Sequence, residues 1–381
     1  MVTRLFPPYY AGATIQALYL SRELERQGQQ VEFVTENFEQ PSIEVMHEGF
    51  KVMKLSTFRW GTPLDKIREL LFAGKVLIFV MQRDYQVVHV HGGASLDMFL
   101  FPVLRILGIR SLLELTLVGS DDPLTMSRRK LGPLFRWSLG WADCVVAISR
   151  RLYELSLEGG LAVSRVRIIP VGVDTTRFMR RPHAEVQQLK DRLGFQSYRH
   201  VFISIGAVEE RKGYDFMLKA WKYVNQQFEN SVLLIIGPRN DTSNPSFNKL
   251  VALQTAGSIR NVMFLGMKER VDEYLAIADG YFHCALAEGL PNALLEAGAA
   301  AVPIICRHIH GVTSDVILNS AIGCEYHGAS AKGFAEAILT TLRRHDPVAA
   351  QAETQKLRTR FDIRNIASQY ASLYQEICYG T

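Results

Sequence analysis

The sequence predicts an α/β protein built from two doubly wound domains. Strand-like apolar runs alternate with helical runs through both halves of the chain, which is the pattern of parallel sheets with crossover helices. The 381 residues exceed what one hydrophobic core usually organises. A stretch rich in charge and turn residues, 173–195, separates the halves and is the expected interdomain connection. We therefore predict a first domain over 1–178, completed by a segment at 360–381, and a second domain over 196–359.

The elements follow in order from their apolar runs. In the first half, β-branched and apolar clusters predict strands at 31–34, 50–55, 87–90, 112–117, 144–148 and 166–170. In the second half they predict strands at 201–205, 232–236, 262–265, 280–284 and 302–306. A final helix is predicted over 363–377.

Composition gives no case for nucleic-acid binding and favours a reducing compartment. The net charge is +5, and 43 basic residues are mixed with 38 acidic ones, so the chain shows no nucleic-acid-binding stretch. Its five cysteines lack metal-ligand spacing, and several lie in apolar runs, which favours buried thiols in a reducing compartment. No signal peptide is visible after Met1, so we expect a cytoplasmic protein.

The segment EGLPNALLE carries the first candidate site. Glu288 follows an apolar run and precedes the turn formed by Gly289, Leu290, Pro291 and Asn292. A helix is expected from Ala293 to Ala301, which puts Glu296 one to two turns into it. Amides at a helix start bind anions, and flanking carboxylates accept hydrogen bonds from sugar hydroxyls. The segment therefore suits a nucleotide-sugar, although a capped turn with an ordinary solvated glutamate is the alternative.

The loop AVEERKG carries the second candidate site. It follows the predicted strand at 201–205 and precedes an amphipathic helix, so Arg211 and Lys212 lie at a strand-to-helix crossing. Ligands of open parallel sheets bind at such carboxyl ends, and two cations beside a glycine suit a diphosphate. A solvated charged loop is the alternative for this segment alone.

Together these segments make the chain resemble the retaining family 4 glycosyltransferases of the GT-B fold. The resemblance also includes FPPYYAGA, HVHGG, ADCVVAIS, IIPVGVDTTRF and VMFLG, so it covers nearly the whole chain. It implies two Rossmann-like domains facing a central cleft, with the last helix crossing back to the first domain. It also implies that the nucleotide-diphosphate sugar contacts Glu288 through sugar hydroxyls, Glu296 through the ribose, and Arg211 with Lys212 through the diphosphate. Gly12 would close over the sugar-phosphate, and the base would lie near Leu265.

Members of this family usually have a fuller first strand than residues 2–6 provide. Either this strand is short or the native start lies upstream of Met1.

The acceptor side of the site is less regular. His91 ends a predicted strand beside Gly92 and could face the cleft, or its ring could be satisfied by a neighbouring group. Where the family commonly carries a histidine, this chain has Val118. Asp121, Asp122 or His91 would then take part of that role, unless the acid pair caps a helix.

The resemblance implies retaining transfer of a hexose-type sugar to a hydroxyl of a glycan or lipid-linked acceptor, in cell-surface polysaccharide synthesis. Charge that builds on the leaving diphosphate would be stabilised by Arg211, Lys212 and the helix start before Glu296. We expect no metal and no cofactor, because no DxD-like motif adjoins the phosphate loops.

Two segments bear on membrane association. Residues 123–142 carry four cations and two tryptophans without an acid, which suits an anionic membrane surface and peripheral attachment to its inner face. Residues 70–81 are strongly apolar but too short to span a bilayer. A core helix is the alternative for both segments, and it is favoured more for 70–81.

Two other functions share the predicted architecture. One is a nucleotide-sugar 2-epimerase, and the other is a non-catalytic nucleotide-sugar-binding protein, which the residue Val118 makes conceivable. The combination of Arg211, Lys212, Glu288 and Glu296 argues against the second.

Overall fold

The computed structural model describes residues 1–9, 11–38, 41–58, 65–93, 99–228, 230–239 and 241–380. The chain divides into two compact units, Met1–Gly172 with Ile363–Thr381, and Val173–Asp362. The sequence boundaries at 178, 196 and 360 differ from this division, because residues 173–195 fold with the second unit and include a helix of their own.

The first unit contains a largely parallel sheet with helices alongside it. Its strands are β1 Glu32–Asn37, β2 Ile43–His47, β3 Phe50–Ser56, β4 Val87–His91, β5 Arg110–Leu115, β6 Cys144–Ala147 and β7 Val166–Ile168. Its helices before the second unit are α1 Gly12–Arg26, α2 Asp65–Met81, α3 Leu100–Ile106, α4 Pro123–Ser127, α5 Gly132–Leu139 and α6 Arg150–Glu158.

The expected first strand is reduced to a short paired segment. Val2 forms parallel bridges to Val34 of β1 and Val90 of β4, and its amide donates to the His89 carbonyl over 2.7 Å. Val2 thereby connects the group β2-β3-β1 with the group β4-β5-β6-β7. This pairing agrees with the first of the two alternatives given above, a short first strand. Strand β2, which pairs antiparallel with β3, was not predicted.

The second unit contains a six-stranded parallel sheet. Its strands are β8 His200–Ile205, β9 Ser231–Ile236, β10 Val262–Gly266, β11 Gly280–His283, β12 Ile304–Arg307 and β13 Gly323–Tyr326. Its helices are α7 His183–Leu193, α8 Tyr214–Gln227, α9 Pro245–Ala256, α10 Val271–Ala276, α11 Asn292–Ala299, α12 Ala331–Arg344 and α13 Pro347–Phe361. Strand β13 was missed because it has only four residues, three of them half-buried.

The final helix, α14 Ile363–Tyr379, belongs to the first unit, as the sequence predicted for this segment. Its apolar side packs beside α1, where Ile366 and Tyr370 join a buried cluster with Leu20 and Leu112. In the second unit, Phe202, Trp221 and Phe282 lie at the centre of the core between the sheet and α8.

The predicted helix start at Ala293 agrees with α11 to one residue. Residues 123–142 form the two short helices α4 and α5 instead of one helix, because the chain turns at 128–131.

Candidate donor-binding site

The strand order of the second unit defines where a ligand would lie. The order is β10-β9-β8-β11-β12-β13, so the chain moves outward on one side of β8 and then returns to build the other side from β11. Ligands of open parallel sheets bind at the carboxyl ends of the strands at such a switch point. The loop after β8 carries Arg211 and Lys212, and the loop after β11 carries Glu288. The topology therefore brings the two sequence-predicted segments to one place.

The loop after β8 is held directly against the end of β11. A short 3₁₀ turn, Glu210–Lys212, leads to Gly213, whose φ of 64° is left-handed. A Cβ at Gly213 would lie 2.2 Å from the Cys284 carbonyl oxygen, so only glycine allows this approach. The Leu286 amide also donates to the Arg211 carbonyl over 2.8 Å. The two loops are thus one packed unit.

Three side chains form the centre of the site. Lys212 Nζ lies 2.5 Å from Glu288 Oε1, and Arg211 Nη1 lies 2.9 Å from Glu288 Oε2. Burial by itself would raise the pKa of Glu288, but Lys212, then His283 and Arg211, hold that pKa below its ordinary value. Glu288 is therefore an ionised, buried carboxylate between two cations.

His283 is a site residue that the sequence analysis missed. Its Nε2 lies 3.8 Å from Glu288 Oε1 and has no hydrogen-bond partner among the described residues. Burial lowers the pKa of His283 to about 4 despite the attraction of Glu288, so its ring is neutral at neutral pH. The only sequence signal was its position in the predicted strand run 280–284.

A second carboxylate, that of Glu209, lies beside the centre of the site and pairs with two arginines. Glu209 Oε1 lies 2.6 Å from Arg239 Nη1, and Glu209 Oε2 lies 3.4 Å from Arg211 Nη2. Arg211, Lys212 and Arg239 thus face two carboxylates, those of Glu209 and Glu288. The excess of one positive charge suits an anionic group.

Glu296 lies in the second turn of α11, as predicted. Gly289, Leu290 and Pro291 form the preceding turn, and Asn292 begins the helix, whose Ncap residue Pro291 provides no side-chain cap. Burial raises the pKa of Glu296 to about 7, with Arg177 opposing the shift and Asp272 adding to it. The carboxyl group is therefore closely surrounded by protein even though part of the residue remains exposed.

Arg177 connects the surroundings of Glu296 with the loop that follows β10. Its Nε donates to Asp272 Oδ1 over 2.9 Å, and its Nη2 donates to the carbonyl of Glu269. Arg181 donates to the other Asp272 oxygen, also over 2.9 Å. Leu265 lies in β10 just before this loop. Arg177 belongs to the VDTTRF segment used in the sequence analysis, whereas nothing in the sequence indicated Asp272.

In the first unit, the predicted acceptor-side residues His91 and Asp121 lie at or just beyond the carboxyl ends of β4 and β5. His91 is buried, and its Nδ1 lies 3.0 Å from Glu114 Oε1, so the ring is satisfied by a carboxylate. A Cβ at Gly92 would lie 2.9 Å from Thr116 Oγ1 and 3.4 Å from Asp121 Oδ2. The ends of the two strands therefore pack closely together.

The acid pair of this loop has mainly structural contacts. Asp121 accepts hydrogen bonds from the Thr116 amide and hydroxyl and from the Leu117 amide, at 2.7–2.9 Å. Burial raises the pKa of Asp121 to about 6, against the effect of these hydrogen bonds. Asp122 caps α4 by accepting from the Thr125 amide over 2.8 Å, so the capping interpretation is confirmed for this residue. Val118 lies in the turn that leads to Asp121, and Gly12 is the first residue of α1.

Among the residues that the structure describes, two groups of side chains could hold a metal ion, since the ligand atoms within each group lie within 4.8 Å of one another. They are His89 with His91 and Glu114, and His308 with Glu325 and His327. Neither group includes Arg211, Lys212, Glu288 or Glu296. In the part of the chain that is described, no helix combines the length and apolarity that a membrane span requires.

Family models match both units of the chain. The model for glycosyl transferases group 1 matches residues 185–358, and the model for Glycosyltransferase Family 4 matches residues 10–177. With the two Rossmann-like units, these matches define an enzyme of the GT-B glycosyltransferase class. The chain belongs to the group 1 glycosyltransferases of family 4, and the predicted family, fold class and enzyme class are confirmed.

Individual relatives have low sequence identity to this chain, but the similarity extends over most of its length. The N-acetyl-alpha-D-glucosaminyl L-malate synthase of Bacillus anthracis is 23% identical over 379 residues, 97% of this chain and 95% of that protein. The putative teichuronic acid biosynthesis glycosyltransferase TuaC of Bacillus subtilis is 25% identical over 84% of this chain and 77% of its own. The crystal structure of Anabaena HepE with UDP-glucose is 15% identical, has a TM-score of 0.77 and covers 98% of both chains.

Proposed function

We propose that the protein transfers a hexose-type sugar from a nucleoside diphosphate to an acceptor hydroxyl with retention of anomeric configuration. The observation that carries the proposal is the pairing of Lys212 and Arg211 with buried Glu288 at the switch point of the second unit. The neighbouring start of α11 and Glu296 complete a site with places for a diphosphate and for hydroxyl groups. HepE, whose fold is similar, was crystallised with UDP-glucose, which supports this class of donor.

In the proposed reaction, the acceptor oxygen forms a bond to the anomeric carbon as the bond from that carbon to the diphosphate oxygen breaks. The acceptor attacks from the face that the diphosphate leaves, and the acceptor proton passes to the departing diphosphate oxygen. Negative charge then grows beside Arg211 and Lys212, which are already positioned by Glu288 and need little reorganisation. These residues and the α11 amides supply the electrostatic stabilisation, so we propose a reaction without a metal or cofactor.

The paired cations also fit a site that accepts a dianionic ligand. Before binding, two cations share the single charge of Glu288, so at least one positive charge is incompletely neutralised. An incoming diphosphate completes this neutralisation. Glu288 then remains beside the sugar as an acceptor for its hydroxyl groups, which is the role predicted from the sequence.

For the acceptor, we propose a glycan or a lipid-linked glycan used in cell-surface polysaccharide synthesis. The similarity to TuaC, named for teichuronic acid biosynthesis, supports the polysaccharide. The cations and tryptophans of residues 123–142 support a lipid-linked form, with the protein cytoplasmic and peripheral at the inner face of the membrane.

The test is a thermal-shift screen with UDP, GDP, ADP, CMP and their sugar conjugates. A ligand that binds only the native state raises the melting temperature according to its concentration relative to its Kd. We expect one nucleoside diphosphate to stabilise the wild type, and the shift to be lost in Glu296→Ala and Lys212→Ala. Lys222→Ala, which removes an exposed lysine of α8, is the matched control and should retain the shift. The absence of a shift with every nucleotide would contradict the proposed donor site.

The reaction itself is tested with the donor so identified. Release of the nucleoside diphosphate only in the presence of an acceptor indicates transfer, whereas release without acceptor indicates an epimerase or a hydrolase. NMR of the product then reports the anomeric configuration, and inversion would contradict the retaining mechanism.

A further inference from the structure

We infer that the outer faces of α2, α3 and α5 form a docking face for an anionic lipid bilayer. The inference rests on the proposed function, because the bilayer would hold the lipid-linked acceptor of the proposed transfer. It goes beyond residues 123–142, because most of the apolar contribution comes from helices outside that segment. We call this surface the three-helix face.

Helix α2 is apolar on two opposite sides. Its inner side packs in the core of the first unit through Phe72, Val76 and Val80. Its outer side carries five large apolar residues at positions that recur with the helical period, and each is about half exposed or more: Ile67, Leu70, Leu71, Ile78 and Met81. A helix apolar all round is normally enclosed, and here the outer stripe faces away from the core. The sequence interpretation of 70–81 as a core helix is therefore half correct.

Helices α3 and α5 continue the exposed apolar surface. In α3 and the residue after it, Val103, Ile106 and Leu107 form an outward stripe, and Ile106 is 78% exposed. Around α5, the outward residues are Leu131, Leu134, Trp137 and Trp141, with the two indole rings in edge-to-face contact. Because α3 packs against both α2 and α5, the three stripes lie on one side of the unit. An exposed apolar surface spread over three helices is typical of an interaction site.

The charged residues between 100 and 142 indicate which kind of partner the three-helix face would bind. The three acidic residues between 100 and 142 are Glu114, Asp121 and Asp122, and all three are buried. The basic residues of the same region reach the surface: Arg105, Arg110, Arg128, Arg129, Lys130 and Arg136. Arg105 and Arg110 pair with Asp143 over 2.5 and 3.0 Å, so the cations assigned to lipid headgroups are Arg128, Arg129, Lys130 and Arg136. Together with the exposed aliphatic residues and the interfacial tryptophans, they match a membrane with anionic headgroups. A second copy of this face would instead oppose like charges.

The test measures co-sedimentation of the full chain with vesicles at low salt. One set contains phosphatidylcholine alone, and the other contains phosphatidylcholine mixed with phosphatidylglycerol. We expect binding to the mixed vesicles, a blue shift of tryptophan fluorescence, and loss of binding as salt screens the charges. The triple variant Arg128→Gln, Arg129→Gln, Lys130→Gln should reduce partitioning by roughly a hundredfold.

The apolar contribution is tested with a matched pair of variants. Ile106 and Val348 are both 78% exposed, but Val348 lies on α13 of the second unit. Ile106→Gln should weaken vesicle binding by roughly tenfold, and Val348→Gln should leave it unchanged. Equal effects of the two variants would overturn the assignment of the face.

Three further outcomes would overturn the inference. They are failure of the folded wild type to bind mixed vesicles, a dimer that Ile106→Gln dissociates without any vesicle binding, and binding to nucleic acid in place of vesicles. The nucleotide thermal shift, measured on the same preparation without vesicles, separates this inference from the proposed function. A nucleotide shift without vesicle binding refutes the docking face alone, and vesicle binding without a nucleotide shift refutes the donor site alone.

Discussion

Replacing Glu296 by glutamine should stabilise the unliganded protein while weakening nucleotide binding. The carboxyl group has a pKa of about 7 in the folded chain, against 4.5 as its ordinary value, because burial disfavours its charge. Between these pH values the folded chain holds a proton that the unfolded chain has lost. The free energy of unfolding therefore falls as the pH rises from 4.5 to about 7, and above pH 7 the full loss remains.

The magnitude follows from the difference between the two pKa values. At about 1.4 kcal/mol per pH unit, the loss above pH 7 is about 3 kcal/mol. Glutamine has nearly the same shape and cannot ionise, so Glu296→Gln should recover up to that amount at pH 8. For a unit of this size the melting temperature should rise by roughly 6–12 °C at pH 8, and little at pH 4.5.

The assay is thermal and chemical unfolding of wild type and variant across pH 4.5–8, with Glu288→Gln as the contrasting control. The pKa of Glu288 is lowered, so its charge stabilises the fold above its ordinary pKa, and this stabilisation disappears as the pH falls. Glu288→Gln should therefore destabilise at pH 8, opposite in sign to Glu296→Gln. If Glu296→Gln leaves the pH dependence of unfolding unchanged, the carboxyl is ionised at little cost and the burial argument is wrong.

Three further substitutions test the local structure. Lys212→Met removes a 2.5 Å partner of Glu288, and denaturant titration should show a loss of about 1–3 kcal/mol, with nucleotide affinity reduced at least tenfold; unchanged stability would show that Arg211 alone suffices. Gly213→Ala should cost the second unit about 1–3 kcal/mol, because the new Cβ meets the Cys284 carbonyl in a left-handed backbone; Gly194→Ala, also left-handed but with open space around it, should cost less in the same melting experiment. Asp122→Ala should lower unfolding free energy by about 1–2 kcal/mol by removing the acceptor for the Thr125 and Gly119 amides, and Asp122→Asn should recover most of it; equal losses would refute the capping role.

The acceptor-side residues are placed differently from the donor-side residues for a physical reason. Donor residues lie in two loops whose positions are fixed by one strand order, so their proximity follows from topology. His91 and Asp121 also end neighbouring strands, yet each is engaged with residues of its own unit: His91 with Glu114, and Asp121 with Thr116. Their contact with an acceptor remains a prediction, as do the donor contacts of Arg211, Lys212, Glu288 and Glu296.

The sequence by itself determined the fold class, most strands, the start of α11 and the pair of loops that carry Arg211, Lys212, Glu288 and Glu296. These features depend on local patterning, such as apolar runs, glycine and proline positions, and short-range spacing, which the chain displays residue by residue. Strands β2 and β13 were not predicted, because β2 is largely exposed and β13 is short.

Only the tertiary structure decided the contacts between residues that are far apart in the chain. Examples are Lys212 with Glu288, His283 beside that pair, and Arg177 with Asp272. It also decided which side of α2 is exposed. Burial raises the pKa of Glu296, whereas charged neighbours outweigh burial and lower the pKa of Glu288. Burial and long-range electrostatics depend on which groups surround a side chain in three dimensions, and spacing along a single sequence does not encode those surroundings.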